Sequence, residues 1–98
     1  METGERYFQK FKGGCQLLSD DGCLKIILRC TIDRGANGKE TRFYTAHTFV
    51  YYKEEDGTSG WYESTNVSIH KSIGAYIKDI LNCQDFRKSV NEFKKYNL

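Results

Sequence analysis

Apolar and polar residues alternate along much of the chain before residue 70, which predicts β-strands that each bury one face. The clearest alternation runs from Cys23 to Asp33, where Lys25, Arg29 and Thr31 share one face. The opposite face is apolar and consists of Leu24, Ile26, Leu28, Cys30 and Ile32. Because successive side chains of a strand point to opposite sides, we predict a strand at 23–33 whose even-numbered face is core. Ile27 is the apolar exception on the outer face.

Two more strands are predicted at 42–53 and 61–70. The segments that precede them contain Asn37-Gly38 and Asp56-Gly57, and both pairs are typical of tight hairpin turns. The three strands should therefore be antiparallel neighbours.

The strand at 42–53 is apolar on both faces, so its pattern leaves open which face is buried. The two alternatives are Tyr44, Ala46, Thr48, Val50 and Tyr52, or Phe43, Thr45, His47, Phe49 and Tyr51. Such a strand lies in the middle of a covered sheet, or in a sheet with one face free to bind a partner. In the strand at 61–70, Trp61, Val67 and Ile69 point one way and the polar residues point the other way.

Residues 4–12 fit either a short helix or a strand, because Tyr7, Phe8 and Phe11 have helical spacing but also the aromatic character of a strand. We favour a strand at about 6–12. The segment Cys15–Leu18 lies between glycine-containing turns and is interpreted as a connection.

The remainder is predicted to be helical. An apolar stripe of period 3.6 follows Ser72, a plausible N-cap, and indicates a helix at about 73–82. A second stripe covers about 86–96. Either one helix runs through both stripes and forms a dimerisation seam, or the chain breaks near 82–85 and Asp85 caps a second helix. We favour the break, because a single helix of about 25 residues would overhang so small a domain.

These elements predict one α+β domain over residues 1–98, with an antiparallel sheet of three to four strands packed against one or two C-terminal helices. Ninety-eight residues suffice for one modest core. The net charge of +2 does not require a polyanionic partner. No apolar run approaches the roughly 18 residues that span a bilayer, and the amino terminus is polar, so we expect no membrane contact and a cytoplasmic protein.

The sequence offers little for catalysis. The four cysteines lack the close pairing of a zinc site, and in a reducing compartment they should be free thiols. Cys30 and Cys83 are expected to be small buried hydrophobes, with His47 and His70 as strand surface residues. The acidic run Glu54–Asp56 is expected to be solvated at a hairpin tip. We therefore expect neither an enzyme, a metal nor a cofactor.

Binding is the better hypothesis, because tyrosine and tryptophan concentrate binding energy at interfaces and the chain has seven tyrosines and one tryptophan. The residues predicted to contact a protein partner are Phe43, His47, Phe49, Tyr51 and Tyr62. The expected function is that of a small non-catalytic interaction module, a cytoplasmic regulator or inhibitor of the sort that phages and mobile elements encode. An exposed edge strand could also pair with its own copy and give a homodimer.

The alternative function is binding of single-stranded nucleic acid, by a sheet face that combines cations for phosphates with rings for base stacking. The residues predicted for this alternative are Lys25, Arg29, Phe49, Tyr51, Arg87 and Lys88.

Overall fold

The computed structural model describes residues 7–96 and shows one antiparallel sheet followed by two helices. The strands are β1 (Phe8–Phe11), β2 (Gly14–Leu18), β3 (Leu24–Arg34), β4 (Glu40–Lys53) and β5 (Ser59–His70). Each strand pairs with the next along the chain, so the order in the sheet is β1-β2-β3-β4-β5. The helices are α1 (Ile73–Ile80) and α2 (Arg87–Tyr96), with a 3-10 turn at Gln84–Phe86. The α+β class is confirmed, with five strands instead of three to four.

The additional strand is β2, which the sequence suggested was only a connection. Gly13 has φ +84° and allows a tight reversal between β1 and β2. β2 then pairs with both β1 and β3, and its Cys15 and Leu17 are fully buried. A strand of five residues is too short for its alternation to stand out from turn signals on either side. At the amino terminus the strand prediction is confirmed for 8–11, while its part before residue 7 lies outside the described residues.

One face of the sheet packs on both helices and forms the core. Ile26 and Leu28 lie opposite Thr48 and Ala46, so the even-numbered face of β4 is the one turned to the helices. The buried core residues are Phe8, Cys15, Leu17, Ile26, Leu28, Ala46, Tyr76, Ile77, Phe86 and Val90. The predicted core face of β3 is confirmed at its centre.

The prediction that Ile32 belongs to this core is wrong, because Ile32 is 48% exposed. β2 pairs with β3 only as far as Arg29, and β5 pairs with β4 only as far as Tyr44. Beyond those residues the β3–β4 hairpin continues as a two-stranded ribbon, with all of 31–42 exposed. Strand periodicity shows which face a residue shares but not where the covering layer ends.

The predicted break between the helices is confirmed, and so is the N-cap of α1, where the Ala75 N–H donates to Ser72 Oγ at 3.0 Å. The start of α2 is capped differently from the prediction. The Lys88 N–H donates to the carboxylate of Asp20, from the β2–β3 turn, at 2.9 Å. Asp85 instead contributes its backbone carbonyl, which accepts the Asp20 N–H at 2.7 Å. A cap supplied by a residue so distant in sequence leaves no local signal.

Helix α2 also closes the outer edge of the sheet at β1. Glu92 Oε1 accepts the N–H groups of Tyr7 and Phe8 at 3.0 and 2.9 Å. The fully buried Ser89 hydroxyl lies in hydrogen-bond contact with the backbone carbonyls of Tyr7 and Leu18. These contacts fix the helix layer on one side of the sheet. Within residues 7–96, neither helix has the length and apolarity needed to cross a lipid bilayer.

Candidate binding face

The sheet face opposite the helices is formed by the odd-numbered residues of β3, β4 and β5. We call it the open face, because both helices pack on the other side and no element among residues 7–96 covers it. Its central side chains are Lys25, Ile27, Arg29, Phe43, His47, Phe49, Tyr51, Trp61 and Glu63, with Val67 and Ile69 at the β5 rim. The structure thereby answers the question left open for β4: its odd-numbered face is the outer one.

A β-bulge keeps the aromatic and aliphatic parts of β5 on this same face. His47 pairs with Val67, but Phe49, two residues further along β4, pairs with Glu63, four residues back along β5. Between these two pairs β5 therefore has two residues more than β4. Because side chains alternate between faces, an even number of additional residues leaves Trp61 and Val67 on the same side. The open face thus continues past the bulge to Val67 and Ile69.

Lys25 is the cation at the centre of the aromatic part of the open face. Its Nζ lies 4.2 Å from the centroid of the Trp61 ring and 5.9 Å from that of Phe49. Tyr51 meets Trp61 edge to face, with ring centroids 5.4 Å apart. An ammonium over a ring face is attracted by the negative π cloud, so these contacts orient both the cation and the rings.

The second cation of the open face is Arg29, on the same strand four residues along. Its guanidinium carbon lies 5.7 Å from the ring centroid of Phe11, which reaches across from β1. Arg29 itself remains exposed. Thr45 lies opposite Arg29 and approaches Thr31, with their hydroxyl oxygens 3.3 Å apart. This part of the face is therefore more polar than the part around Trp61.

The central part of the open face also carries an anion, Glu63, whose carboxylate lies 2.7 Å from His47 Nδ1. Both side chains are partly exposed, at 49% and 29% respectively. Phe49 of β4 pairs with Glu63 of β5 on one side and with Lys25 of β3 on the other. Cation, ring and anion thus lie in one row across three strands.

The structure brings four of the five residues predicted for protein binding together on the open face: Phe43, His47, Phe49 and Tyr51. Tyr62 is not among them. It lies opposite Val50 on the helix side of the sheet and packs against Tyr52, with ring centroids 6.1 Å apart. The alternation along 61–70 already placed Trp61 and Tyr62 on opposite faces. Trp61, and not Tyr62, is therefore the residue of β5 that shares a face with Tyr51.

The set predicted for nucleic acid is divided in the same way. Lys25, Arg29, Phe49 and Tyr51 share the open face. Arg87 and Lys88 begin α2, on the helix side, where Lys88 Nζ lies 5.0 Å from the Tyr7 ring centroid. These two cations therefore cannot extend the open face.

The cysteine thiols are the first candidates for nucleophilic chemistry. Cys15 is fully buried, and burial raises the pKa of its thiol to about 12, so it is protonated at neutral pH. The four cysteines are free. Among the described residues, no group of three or more His, Cys, Asp or Glu side chains is arranged to hold a metal ion.

The side chains of Ser68, His70 and Asp79 form a row in space. Ser68 Oγ is 2.8 Å from His70 Nε2, and His70 Nδ1 is 3.4 Å from Asp79 Oδ2. The second distance is long for a hydrogen bond. The His70 ring packs edge to face on Tyr76, with ring centroids 4.5 Å apart, and Tyr76 belongs to the core. The groove of about 550 Å³ between α1 and α2 is lined by Ile77 and Phe93 among others, and not by Ser68, His70 or Asp79. The contacts of His70 thus join β5 to α1.

Comparison of the chain with protein-family profiles, with curated proteins and with solved structures gives no match. The functional argument therefore depends on the residues of the open face.

Proposed function

We propose that this protein is a small non-catalytic binding module that docks its open face on a protein partner and acts as a cytoplasmic regulator or inhibitor. The observation that supports the proposal is the open face itself, a continuous sheet surface that no element of residues 7–96 covers and on which two cations already lie against aromatic rings. Monomeric proteins rarely leave a large apolar surface uncovered unless it serves an interaction.

The composition of the open face suits a protein partner. Aromatic rings and arginine are the residues enriched at the centres of protein interfaces. Trp61 and Phe49 are half-buried already, which lowers the conformational entropy lost on binding. Lys25 and Arg29 supply positive charge at the centre, so the partner surface should present apolar side chains together with carboxylates.

Binding of single-stranded nucleic acid is the second candidate, favoured by the position of Lys25 and Arg29 beside Phe49 and Tyr51 on one face. Two observations weigh against it. Glu63 lies in the same row as Lys25 and would repel a phosphate backbone. The basic residues of α2 lie on the other side of the sheet and cannot add to the charge of the open face.

Titration with oligonucleotides separates the two candidates, using the fluorescence of Trp61, the sole tryptophan. For a protein-binding module, no single-stranded oligonucleotide should bind tighter than the non-specific range of about 10⁻⁴ to 10⁻⁶ M at physiological salt. Tight, salt-sensitive quenching that is weakened by Lys25→Ala and Arg29→Ala would refute the proposal. Lys88→Ala is the matched control, because it removes a lysine from the helix side.

A further inference from the structure

The two edges of the sheet differ in how they are protected. At the β1 edge, Glu92 accepts two backbone N–H groups and α2 lies alongside. At the β5 edge, no backbone hydrogen bond within residues 7–96 joins Val67–His70 to any element other than β4. An edge strand with unpaired N–H and C=O groups is a template for another strand.

The same stretch of β5 exposes apolar side chains at alternate positions. Ile69 is 67% exposed and Val67 is 51% exposed, and both point to the open-face side at its outermost rim. Natural edge strands are commonly protected by lysine, proline or inward-pointing charges. Val67–His70 has none of these, whereas the bulge at 64–66 interrupts the edge on its amino-terminal side. The regular part of the edge beyond the bulge is therefore Val67–His70.

We propose that Val67–His70 pairs antiparallel with the same segment of a second copy of this chain, which joins two five-stranded sheets edge to edge. The two-fold axis passes between Ser68 and the partner subunit's Ser68. Val67 then lies opposite the partner subunit's Ile69, and Ile69 lies opposite the partner subunit's Val67.

This register makes the segment complementary to itself. The four apolar side chains meet on one face of the joined sheet, where they cover one another. Asn66 lies opposite the partner subunit's His70, and the nearest charged residues, Glu63 and Lys71, meet no like charge. A second copy therefore satisfies both the backbone and the side chains of the edge.

A two-fold contact closes the assembly at two copies. α2 and Glu92 protect β1, so β5 is the unprotected outer strand of the five-stranded sheet, and a two-fold contact between identical β5 edges closes on itself. The paired stretch is short compared with standard interfaces, so we expect a reversible dimer with an affinity in the micromolar range. The dimer does not rest on the proposed function, because β5 pairing leaves Lys25, Phe49 and Trp61 uncovered.

Sedimentation equilibrium of the full chain over the micromolar range tests the proposal with variants at the predicted pairs. Val67→Lys and Ile69→Glu should each weaken self-association at least about tenfold, because each places a charge against an apolar side chain. Ile32→Lys is the matched control: Ile32 is a similarly exposed strand residue on the β3–β4 ribbon, and its change should leave association unaltered.

Mixing the variants tests the register. An equimolar mixture of Val67→Lys and Ile69→Glu proteins should form heterodimers, because the introduced ammonium at position 67 of one chain then faces the introduced carboxylate at position 69 of the other. A mixture of Val67→Lys and Ile69→Lys proteins should stay monomeric. The proposal is overturned if the unaltered protein stays monomeric throughout, if Ile32→Lys disrupts association as strongly as the rim variants, or if the charge-matched mixture associates no better than its components.

Discussion

Lys25 on β3 and Trp61 on β5 are in contact across the intervening strand β4, with Lys25 Nζ 4.2 Å from the indole centroid. The ammonium lies over the indole ring, and Lys25 is half-buried in this position. The contact joins β3 to the end of the β4–β5 hairpin, where Tyr51 pairs with Trp61 beyond the last β3–β4 pair and the sheet is two-stranded. An isolated two-stranded ribbon is at best marginally stable, so this contact and the edge-to-face pair of Tyr51 and Trp61 stabilise the surface proposed to bind.

The burial boundary along β3 predicts different outcomes for two similar substitutions. Leu28→Asp should unfold the domain, because Leu28 is fully buried and an unpaired carboxylate there costs several kcal/mol, comparable to the whole stability of a small domain. Ile32→Asp should change the free energy of unfolding by less than about 1 kcal/mol, because Ile32 lies on the exposed ribbon. Circular dichroism and denaturant titration measure both. Equal destabilisation by the two variants would show that the ribbon is covered.

This boundary also shows how far the sequence determines the fold. The strict alternation of 23–33 identified the core face of β3, and the two turn pairs identified the hairpins on either side of β4. The alternation could not locate the end of the core, because Ile32 continues the pattern of Leu28 although β2 and β5 have already ended. β2 was missed since five residues between turns give little periodicity. The Asp20 cap of α2 was missed because it is a contact between distant residues.

The candidate site was predictable to a similar extent. Sequence composition indicated an aromatic face, but Arg42–Lys53 is apolar on both sides, and only its register with β3 shows that Phe43, His47, Phe49 and Tyr51 point outward. Tyr62 was predicted to contact the protein partner only because it is a tyrosine. Its position on the helix side follows from its pairing with Val50. The contact of Lys25 with Trp61 joins residues from strands that are not neighbours in the sheet, which no periodicity can reveal.

The buried thiol predicts how stability depends on alkaline pH. Burial raises the pKa of Cys15 to about 12, and burial likewise raises that of Tyr76 to about 12. In the unfolded chain both groups ionise at lower pH, near about 8.5 and 10. Their contribution to stability is therefore complete below those values and is lost as the pH rises toward 12. Urea unfolding between pH 7 and pH 11 should show a falling free energy of unfolding.

A Cys15→Ala variant provides the control for that series. It lowers stability at neutral pH through the lost packing, but the part of the alkaline decline that begins near about pH 8.5 should be smaller than in the unaltered protein. Stability that rises with pH over this interval, or an identical decline in the variant, would contradict the assignment to Cys15.

Site-specific photocrosslinking in the cell of origin tests the central claim, that the open face binds a protein. Tyr51 and Tyr62 suit this comparison, because both are exposed tyrosines of the β4–β5 hairpin and they lie on opposite faces of the sheet. Each is replaced in turn by p-benzoyl-phenylalanine, and the adducts after irradiation are treated with protease or nuclease.

The account predicts that the probe at position 51 yields a discrete, protease-sensitive adduct with a protein other than this chain, and that the probe at position 62 does not. Nuclease-sensitive adducts at position 51, equal labelling from both positions, or no adduct at position 51 would contradict it.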